Sequence, residues 1–223
     1  MKFATPQVLY EDNHLLAISK PALLATMGAK EGEPSAAEWA KDYLKRKYDK
    51  PGSVYVGVVS RIDAHVTGVL LLARTSKAAS RLSEQFRDRS TEKEYSALIP
   101  LGAKIRSGKL VDWIRKEDKL RRMVVAPEGA ADADNAELEV IGQQRLRQCQ
   151  RVELRLITGR KHQIRLQLAS RGAAILGDRK YGATDRFAPG IALHARRLVF
   201  THPTLKKRLT IEAPLPDSWQ DYL

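Results

Sequence analysis

The sequence predicts an α+β fold in which helices and loops flank a large, mainly antiparallel mixed sheet. Short apolar and β-branched runs recur along the whole chain, whereas helical spacing of apolar residues is confined to three segments. At 223 residues, the chain can bury a substantial core without disulfides or metals. Because no repeat or low-complexity linker interrupts the pattern, we expect one domain spanning residues 1–223.

The first half of the chain is predicted to alternate strands with two helices. Ser35 and Glu38 have the spacing of a capping box, which starts the first helix. Ala78, Leu82 and Phe86 recur every four residues and indicate the second helix, with one buried face. The expected elements are strands at 8–10, 15–18, 54–59 (buried) and 69–73, a helix after residue 35 and a helix at 76–89.

The second half is predicted to be mostly strand. Alternating apolar residues indicate a strand at 152–156. A helix is expected at 162–170, with Ile164 and Leu168 facing the core and Gly172 as its left-handed cap. The other expected strands are 95–99, 123–125, 136–141, 193–200 and 209–213.

Composition predicts a polyanionic partner. The net charge is +13 and the pI is near 9.9, which favours RNA or another nucleic acid. The lone Cys149 can form no disulfide within the chain and no cysteine zinc site, which suits a reducing compartment. The sequence shows no transmembrane-length apolar run and no signal-peptide core, so we expect a cytoplasmic protein without membrane contact.

Two zones concentrate the basic residues. Lys104–Val125 holds eight basic and three acidic residues, and Arg151–Lys180 holds eight basic and two acidic residues. Together they could line one RNA-tracking groove. Trp113 lies within the first zone, where it could stack on a base or tuck into the core beneath a solvated hairpin.

The stretch Ser60–Gly68 places an aspartate beside an arginine in a turn between two apolar strands. Asp63 is either a catalytic carboxylate or a turn residue whose side chain bonds the backbone two or three residues on. Catalysis in a partly buried cleft requires an ionised carboxylate, and a paired arginine would oppose the desolvation that favours its protonated form.

Three arginines could supply that charge: Arg61, Arg160 and Arg165. Arg160 lies at the entrance of the predicted helix, where free N–H groups attract phosphate, so it suits the RNA backbone. Arg165 lies on the helix, one turn after His162, and is the better fixed partner. His162 could act as a general base or be structural, and it has no second ligand at metal spacing.

Four segments stand in an order and at separations typical of one enzyme family: Arg61–Gly68, Lys93–Tyr95, Thr158–Arg165 and Ile175–Gly182. On these segments, nearly the full chain resembles the RluA-type pseudouridine synthases, which isomerise uridine to pseudouridine in ribosomal or transfer RNA. The resemblance implies a single pseudouridine synthase catalytic domain over residues 1–223, with no accessory RNA-binding domain before it. Ser60 stands where the family usually has histidine.

The resemblance also implies roles for individual residues. Asp63 would be the essential catalytic aspartate, Arg165 its salt-bridge partner, and Tyr95 the residue that packs against the target uracil. By pattern alone, Tyr95 is a core tyrosine. Arg61 would help flip the uridine out of its stack. The residues expected to contact RNA are Arg61, Arg115, Lys116, Arg121, Arg122, Arg160, Lys161 and His162.

The expected function is therefore that of an RNA pseudouridine synthase, an isomerase that needs no metal or cofactor and for which no obligate protein partner is inferred. The alternative is a catalytically silent RNA-binding or ribosome-assembly protein on the same fold, which the basic charge would support equally well. A metal-dependent nuclease would need several carboxylates converging on an ion, and the sequence shows no such cluster.

Overall fold

The computed structural model describes residues 3–28 and 33–222. Within these ranges the α-helices are α1 (Ala36–Lys47), α2 (Ser76–Arg87) and α3 (Gln163–Ala169). The strands are β1 (Gln7–Glu11), β2 (Leu15–Lys20), β3 (Gly57–Val58), β4 (Thr67–Ala73), β5 (Glu92–Pro100), β6 (Gly108–Glu117), β7 (Arg122–Ala126), β8 (Asp134–Arg145), β9 (Cys149–Leu156), β10 (Leu193–Thr201) and β11 (Arg208–Glu212). No helix in the described ranges is long and apolar enough to span a membrane.

The chain separates into two compact units. The first comprises Met1–Glu92 and Ala195–Leu215, and the second comprises Lys93–His194 and Pro216–Leu223. Each unit carries antiparallel strands and at least one α-helix, so the predicted α+β fold built on a mainly antiparallel sheet is confirmed. The extent of the catalytic domain, 1–223, stays a prediction, and residues 1, 2, 29–32 and 223 lie outside the described residues.

The first unit places apolar side chains on both faces of its sheet. Its strands run in the order β1-β2-β4-β10, with β11 beside β10 and β3 beside β4. All seven residues of β4 are buried, and its side chains alternate between two cores. Helix α2 packs Ala78 and Leu82 into one core, and α1 packs Ala40 and Leu44 into the other. The predicted capping box at Ser35 and Glu38 is confirmed.

The predicted buried strand at 54–59 is wrong. Only Gly57 and Val58 form a strand, paired with the last two residues of β4, and Tyr55 is 49% exposed. Val54 and Val56 pack against the α1 core without belonging to a strand. A β-branched run favours extended backbone, but it does not supply the hydrogen-bonding neighbour that makes a strand.

The second unit packs α3 on one face of its sheet. Its strands run in the order β5-β9-β8-β6-β7, and their pairings are antiparallel. Leu166 of α3 packs with Ile114, Met123 and Ala136. Strand β6 was not predicted, because charged residues interrupt its apolar alternation. It pairs with β7 as a hairpin.

A buried histidine joins two turns of the first unit. His202 is fully buried, and its Nδ1 accepts hydrogen bonds from the backbone N–H groups of Thr204 and Leu205. The proton of its neutral ring therefore lies on Nε2, which donates to Asp12 Oδ2 at 2.7 Å. Asp12 lies in the β1–β2 turn, so this bond ties that turn to the β10–β11 turn.

Asp12 generates a prediction about acid stability. Burial raises the pKa of this carboxyl, but hydrogen bonds from the His14 and Leu15 backbone, Tyr10 and His202 outweigh it and lower the pKa below its usual range. A carboxyl whose pKa is lowered by folding stabilises the fold at pH values above its unfolded-state pKa of about 3.9. That stabilisation is lost as the pH falls through the folded-state pKa. In urea unfolding, Asp12→Asn should destabilise at pH 7, and its difference from wild type should shrink near pH 3.

The matched control is Asp42→Asn, which changes an exposed carboxylate on α1 and should leave unfolding unchanged at both pH values. A difference between wild type and Asp12→Asn that stays constant down to pH 3 would contradict the prediction.

Candidate active site

The loop that carries Asp63 lies between β3 and β4. Asp63 is half-buried, and its main-chain carbonyl accepts a hydrogen bond from the Val66 N–H at 3.1 Å, which closes a tight turn. Thr26 fixes the preceding residue, because its Oγ1 donates to the Ile62 carbonyl at 2.8 Å and accepts from the Ile62 N–H at 3.3 Å. The backbone on each side of Asp63 is therefore restrained.

Lys20 ends β2 beneath the same loop and is fully buried. Its Nζ donates to the carbonyls of Pro21 at 2.9 Å, Leu24 at 2.8 Å and Ala64 at 3.2 Å. Burial lowers the pKa of Lys20 to about 7, while the negative charge of Asp63 opposes that shift. Lys20 was not among the predicted site residues. Its only sequence signal is a lysine that ends an apolar strand before a proline.

Gly68 allows the loop to enter β4. Its φ is +112°, a conformation that side chains rarely adopt. A Cβ at this position would also lie 2.2 Å from the carbonyl oxygen of Ala195. The glycine after the Asp63 turn is thus required both by the backbone conformation and by the close approach of Ala195.

In the second unit, Tyr95 lies on the sheet face that α3 covers. It is half-buried on β5 and pairs with Leu154, and the strand registers place both residues on the same face as Asp112 of β6. Gln167 of α3 donates to the Asp112 carboxylate at 2.8 Å, which confirms that α3 packs there. Tyr95 is therefore neither fully buried nor on the opposite, open face.

Arg165 forms a buried bidentate ion pair with Asp178. Its Nε and Nη2 donate to the two carboxylate oxygens of Asp178, both at 2.7 Å. The side chains are 5% and 1% exposed, and the guanidinium lies 5.1 Å from the ring centre of Tyr181. Sequence reasoning missed Asp178 because it lies on a turn beyond the helix, outside helical spacing. The proposed pairing of Arg165 with Asp63 stays a prediction.

His162 precedes α3 instead of beginning it. Its φ is +54°, and its Nδ1 lies 2.8 Å from the Tyr181 hydroxyl. That hydroxyl accepts a hydrogen bond from the Met123 N–H, so its own proton can go to His162. Tyr181 thereby joins the start of α3 to strand β7 of the β6–β7 hairpin. Within residues 3–28 and 33–222, no group of three or more His, Cys, Asp or Glu could hold a metal ion.

Much of the basic charge in the second unit is paired with carboxylates. Exposed Arg115 pairs with Asp132 at 2.8 Å, and Lys116 pairs with Asp118. The remaining pairs are Arg151 with Glu153, Arg155 with Glu94 and Glu139, Arg160 with Asp134, and Arg171 with Asp112. Four of these partners, Glu94, Asp132, Asp134 and Glu139, lie outside both basic zones, so a count within each zone overstates its free positive charge.

The cations left without an acidic partner in the described part of this unit include Arg121, Arg122, Lys161, Arg179 and Lys180. All five are exposed. Four of them lie around Tyr181. Arg179 and Lys180 precede Tyr181 in a 3-10 helix, and Arg122 donates to the Lys180 carbonyl at 3.5 Å. Lys161 is next in the chain to His162, which contacts the Tyr181 hydroxyl. We call these five residues the Tyr181 basic cluster.

Trp113 lies on the sheet face opposite α3. It pairs with Ala126 of β7 and Asn135 of β8. Its neighbour along β6, Ile114, faces α3, and consecutive side chains of a strand point to opposite faces. Its half-buried ring therefore does not enter the core beneath α3. Arg115 shares this open face by the same alternation. Neither residue lies on the face that carries Tyr95.

Residues 14–170 match the family model described as RNA pseudouridylate synthase, a range that includes Asp63, Tyr95 and Arg165. The chain belongs to the RNA pseudouridylate synthase family. Members of this family are isomerases that act on RNA, which confirms the predicted class of enzyme.

Relatives agree over most of the chain. It is 34% identical to ribosomal large subunit pseudouridine synthase D of Xanthomonas campestris pv. campestris, covering 96% of this chain and 67% of that one. It is 30% identical to dual-specificity RNA pseudouridine synthase RluA of Escherichia coli K12, covering 93% and 92%. The solved structure of human RNA pseudouridylate synthase domain containing 4 matches with a TM-score of 0.76 at 25% identity, over 96% and 92% of the chains.

The Arg165–Asp178 pair generates a stability prediction. Arg165→Ala leaves the Asp178 carboxylate buried without its guanidinium, a change that typically costs about 3–5 kcal/mol. We expect that loss in the free energy of unfolding, measured with urea. Adding Asp178→Asn should recover part of it, because the neutral amide is less costly to bury.

The control is Arg155→Ala, which removes a half-exposed arginine from surface ion pairs and should cost less than about 1 kcal/mol. Equal losses for Arg155→Ala and Arg165→Ala would show that burial of the Asp178 pair contributes nothing special.

Proposed function

We propose that this enzyme converts a specific uridine of ribosomal or transfer RNA to pseudouridine, with Asp63 as its catalytic carboxylate. The observation that carries the proposal is the loop of Asp63, which is braced by Thr26 and Lys20 within the segment that matches the family. A carboxylate held in a fixed backbone is suited to act on one bond of a bound nucleotide. The RNA class follows the names of the relatives, which act on ribosomal RNA or have dual specificity.

The reaction is an isomerisation. The bond between N1 of uracil and C1′ of ribose breaks, the uracil rotates while it remains bound, and a bond forms between C5 and C1′. N1 gains a proton and C5 loses one, so the atoms balance. Attack on the sugar and abstraction of a ribose proton are the two routes open to Asp63, and both need the ionised carboxylate.

The other predicted site residues have supporting roles in this proposal. Tyr95, half-buried on the α3 face, packs against the target uracil. Exposed Arg61 enters the space that the flipped nucleotide leaves, which offsets part of the few kcal/mol of unstacking. Arg165 pairs with Asp63 while Asp178 holds the guanidinium in place.

RNA binding is proposed to centre on the Tyr181 basic cluster, with Arg160 and His162 beside it. Five exposed cations without acidic partners provide sites for phosphate without first breaking an ion pair. Arg115 and Lys116 contribute less because carboxylates already neutralise them. We also infer that the enzyme works in the cytoplasm without a cofactor, a metal or an obligate protein partner. The silent RNA-binding alternative is not favoured, because the named relatives are synthases.

Asp63→Asn tests the catalytic proposal. The amide keeps the size of the side chain but cannot act as nucleophile or base, so isomerisation should fall below detection while RNA binding and folding persist. Carbodiimide primer extension of total RNA, from cells that carry wild type, Asp63→Asn or no gene, would locate the modified uridine and report its loss. Asp42→Asn serves as the unaffected control. Modification by Asp63→Asn near the wild-type level would remove Asp63 from the mechanism.

The salt dependence of RNA binding tests the Tyr181 basic cluster. Each lost phosphate contact reduces the slope of log K against log salt by about 0.7–0.9, so Arg121→Ala with Arg122→Ala should flatten it by roughly 1.4–1.8. The matched pair Arg115→Ala with Lys116→Ala should change the slope less, since those cations are already ion-paired. If both pairs flatten the slope equally, the carboxylate partners do not compete with RNA.

A further inference from the structure

Basic residues gather where α2 meets the turn between β10 and β11 in the first unit. Arg81 of α2 donates to the Pro203 carbonyl at 2.8 Å. Gln85 bonds both backbone groups of Thr201, because its amide donates to the carbonyl and accepts from the N–H, each at 2.8 Å. The helix and the turn therefore form one surface. We call its cations the α2 basic edge: Lys77, Arg81, Arg87, Arg89, Lys206 and Lys207.

The α2 basic edge lacks the carboxylate partners that neutralise other cations of this unit. Lys47 and Arg74, for example, both pair with Glu11. Among residues 3–28 and 33–222, no cation of the edge forms an ion pair, and five of the six are exposed. Glu84 and Asp88 are the acidic residues on the same stretch of chain, so positive charge predominates there. The edge can therefore bind an anion without first breaking an ion pair.

The turn that carries Lys206 and Lys207 is held in place by its own backbone and by a buried side chain. The N–H of His202 donates to the Lys207 carbonyl at 2.8 Å, and the His202 carbonyl accepts from the Lys206 N–H at 3.0 Å. The His202 ring is fixed in turn by Asp12. Lys206 has a φ of +58°, and Arg89, just after α2, has a φ of +57°. Glycine or asparagine adopts this left-handed conformation at lower cost, so two cations occupy positions whose backbone favours other residues.

The α2 basic edge lies apart from the Asp63 loop, at the other end of β10. Gly68, where that loop enters β4, lies against Ala195 near the start of β10. Thr201, where the β10–β11 turn begins, follows Ala195 by six residues along the strand. At about 3.3 Å per strand residue this separation is roughly 20 Å, which is the length of roughly six base pairs of duplex. The edge is therefore suited to contact RNA that flanks the target nucleotide, and not that nucleotide itself.

We propose that the α2 basic edge is a second RNA-binding surface, which holds the phosphate backbone of a duplex flanking the target uridine. The proposal rests on the proposed function, because that function places the target nucleotide at Asp63. RNA bound there brings its own flanking phosphates to the edge, whereas an acidic protein would have to be a further partner. Lysine and arginine contacts to phosphate fix the position of an RNA without reading its sequence. The edge would therefore select RNAs by the length of duplex beside the target.

Hairpin RNAs with one loop sequence and stems of about 4, 8 and 16 base pairs test this surface by fluorescence anisotropy. The shortest stem ends before the edge and the longer stems reach it, so wild-type affinity should rise about three- to tenfold with stem length. Lys206→Asn with Lys207→Gln should remove that gain. The same pair should flatten the slope of log K against log salt by roughly 1.4–1.8 on the long stems only, since two phosphate contacts are lost. Asparagine suits the positive φ at position 206.

Two further variants separate charge from local structure. Arg87→Gln with Arg89→Asn removes charge from the α2 side of the edge and should also weaken binding of the longer stems alone. Lys206→Arg with Lys207→Arg keeps both charges and should retain the gain in affinity. Urea unfolding of each variant checks that the fold persists, as expected for exposed side chains.

The matched control is Lys41→Gln with Lys45→Gln, which removes the same charge from an exposed face of α1 that also carries acidic residues. This pair should bind every hairpin like wild type. Wild-type affinity and salt slope in the variants of the edge would overturn the proposal and leave a solvated surface. An equal loss in the α1 control would also overturn it, because the effect would then follow net charge alone. The measurement needs no turnover, so it still decides the proposal if Asp63→Asn remains active and the catalytic role fails.

Discussion

The pairing of β2 with β4 is the constraint on which the Asp63 loop depends. Because side chains alternate along a strand, a slip of one residue would move every core side chain of both strands to the other face. The observed register buries all of β4 and sets Lys20 opposite Gly68, at the point where the loop enters the sheet. The close approach of Ala195 to Gly68 leaves no room for a side chain there. The loop geometry is therefore a consequence of sheet packing.

Both units bury charge, and each supplies the partners that this requires. Lys20 has three carbonyl acceptors in the first unit, and Arg165 has both oxygens of Asp178 in the second. An isolated buried charge would cost several kcal/mol, so these groups are retained only where the surrounding backbone or carboxylate is already in position. In the first unit these contacts restrain the backbone next to Asp63, and in the second they hold the guanidinium of Arg165.

The net charge of the chain and the pairing of individual cations carry different information about RNA binding. The formal net charge of +13 indicates a polyanionic partner, but it does not locate the contact surface. In the second unit, carboxylates from other segments pair with Arg155, Arg160 and Arg171, whereas no residue of the Tyr181 basic cluster forms an ion pair within the described residues. Long-range attraction can come from the whole protein, while the proposed phosphate contacts are made by cations that form no ion pair.

The sequence alone determined the α+β class, most element positions and the family, because apolar periodicity, the capping box and four ordered motifs are local signals. Asp63 and Arg165 could be selected in the same way. The tertiary structure decided what depends on neighbours distant along the chain: the short β3 where a strand at 54–59 was expected, the unpredicted β6, and the pairing of Arg165 with Asp178. Lys20 shows the reason most clearly, since only strand register brings its ammonium to Ala64.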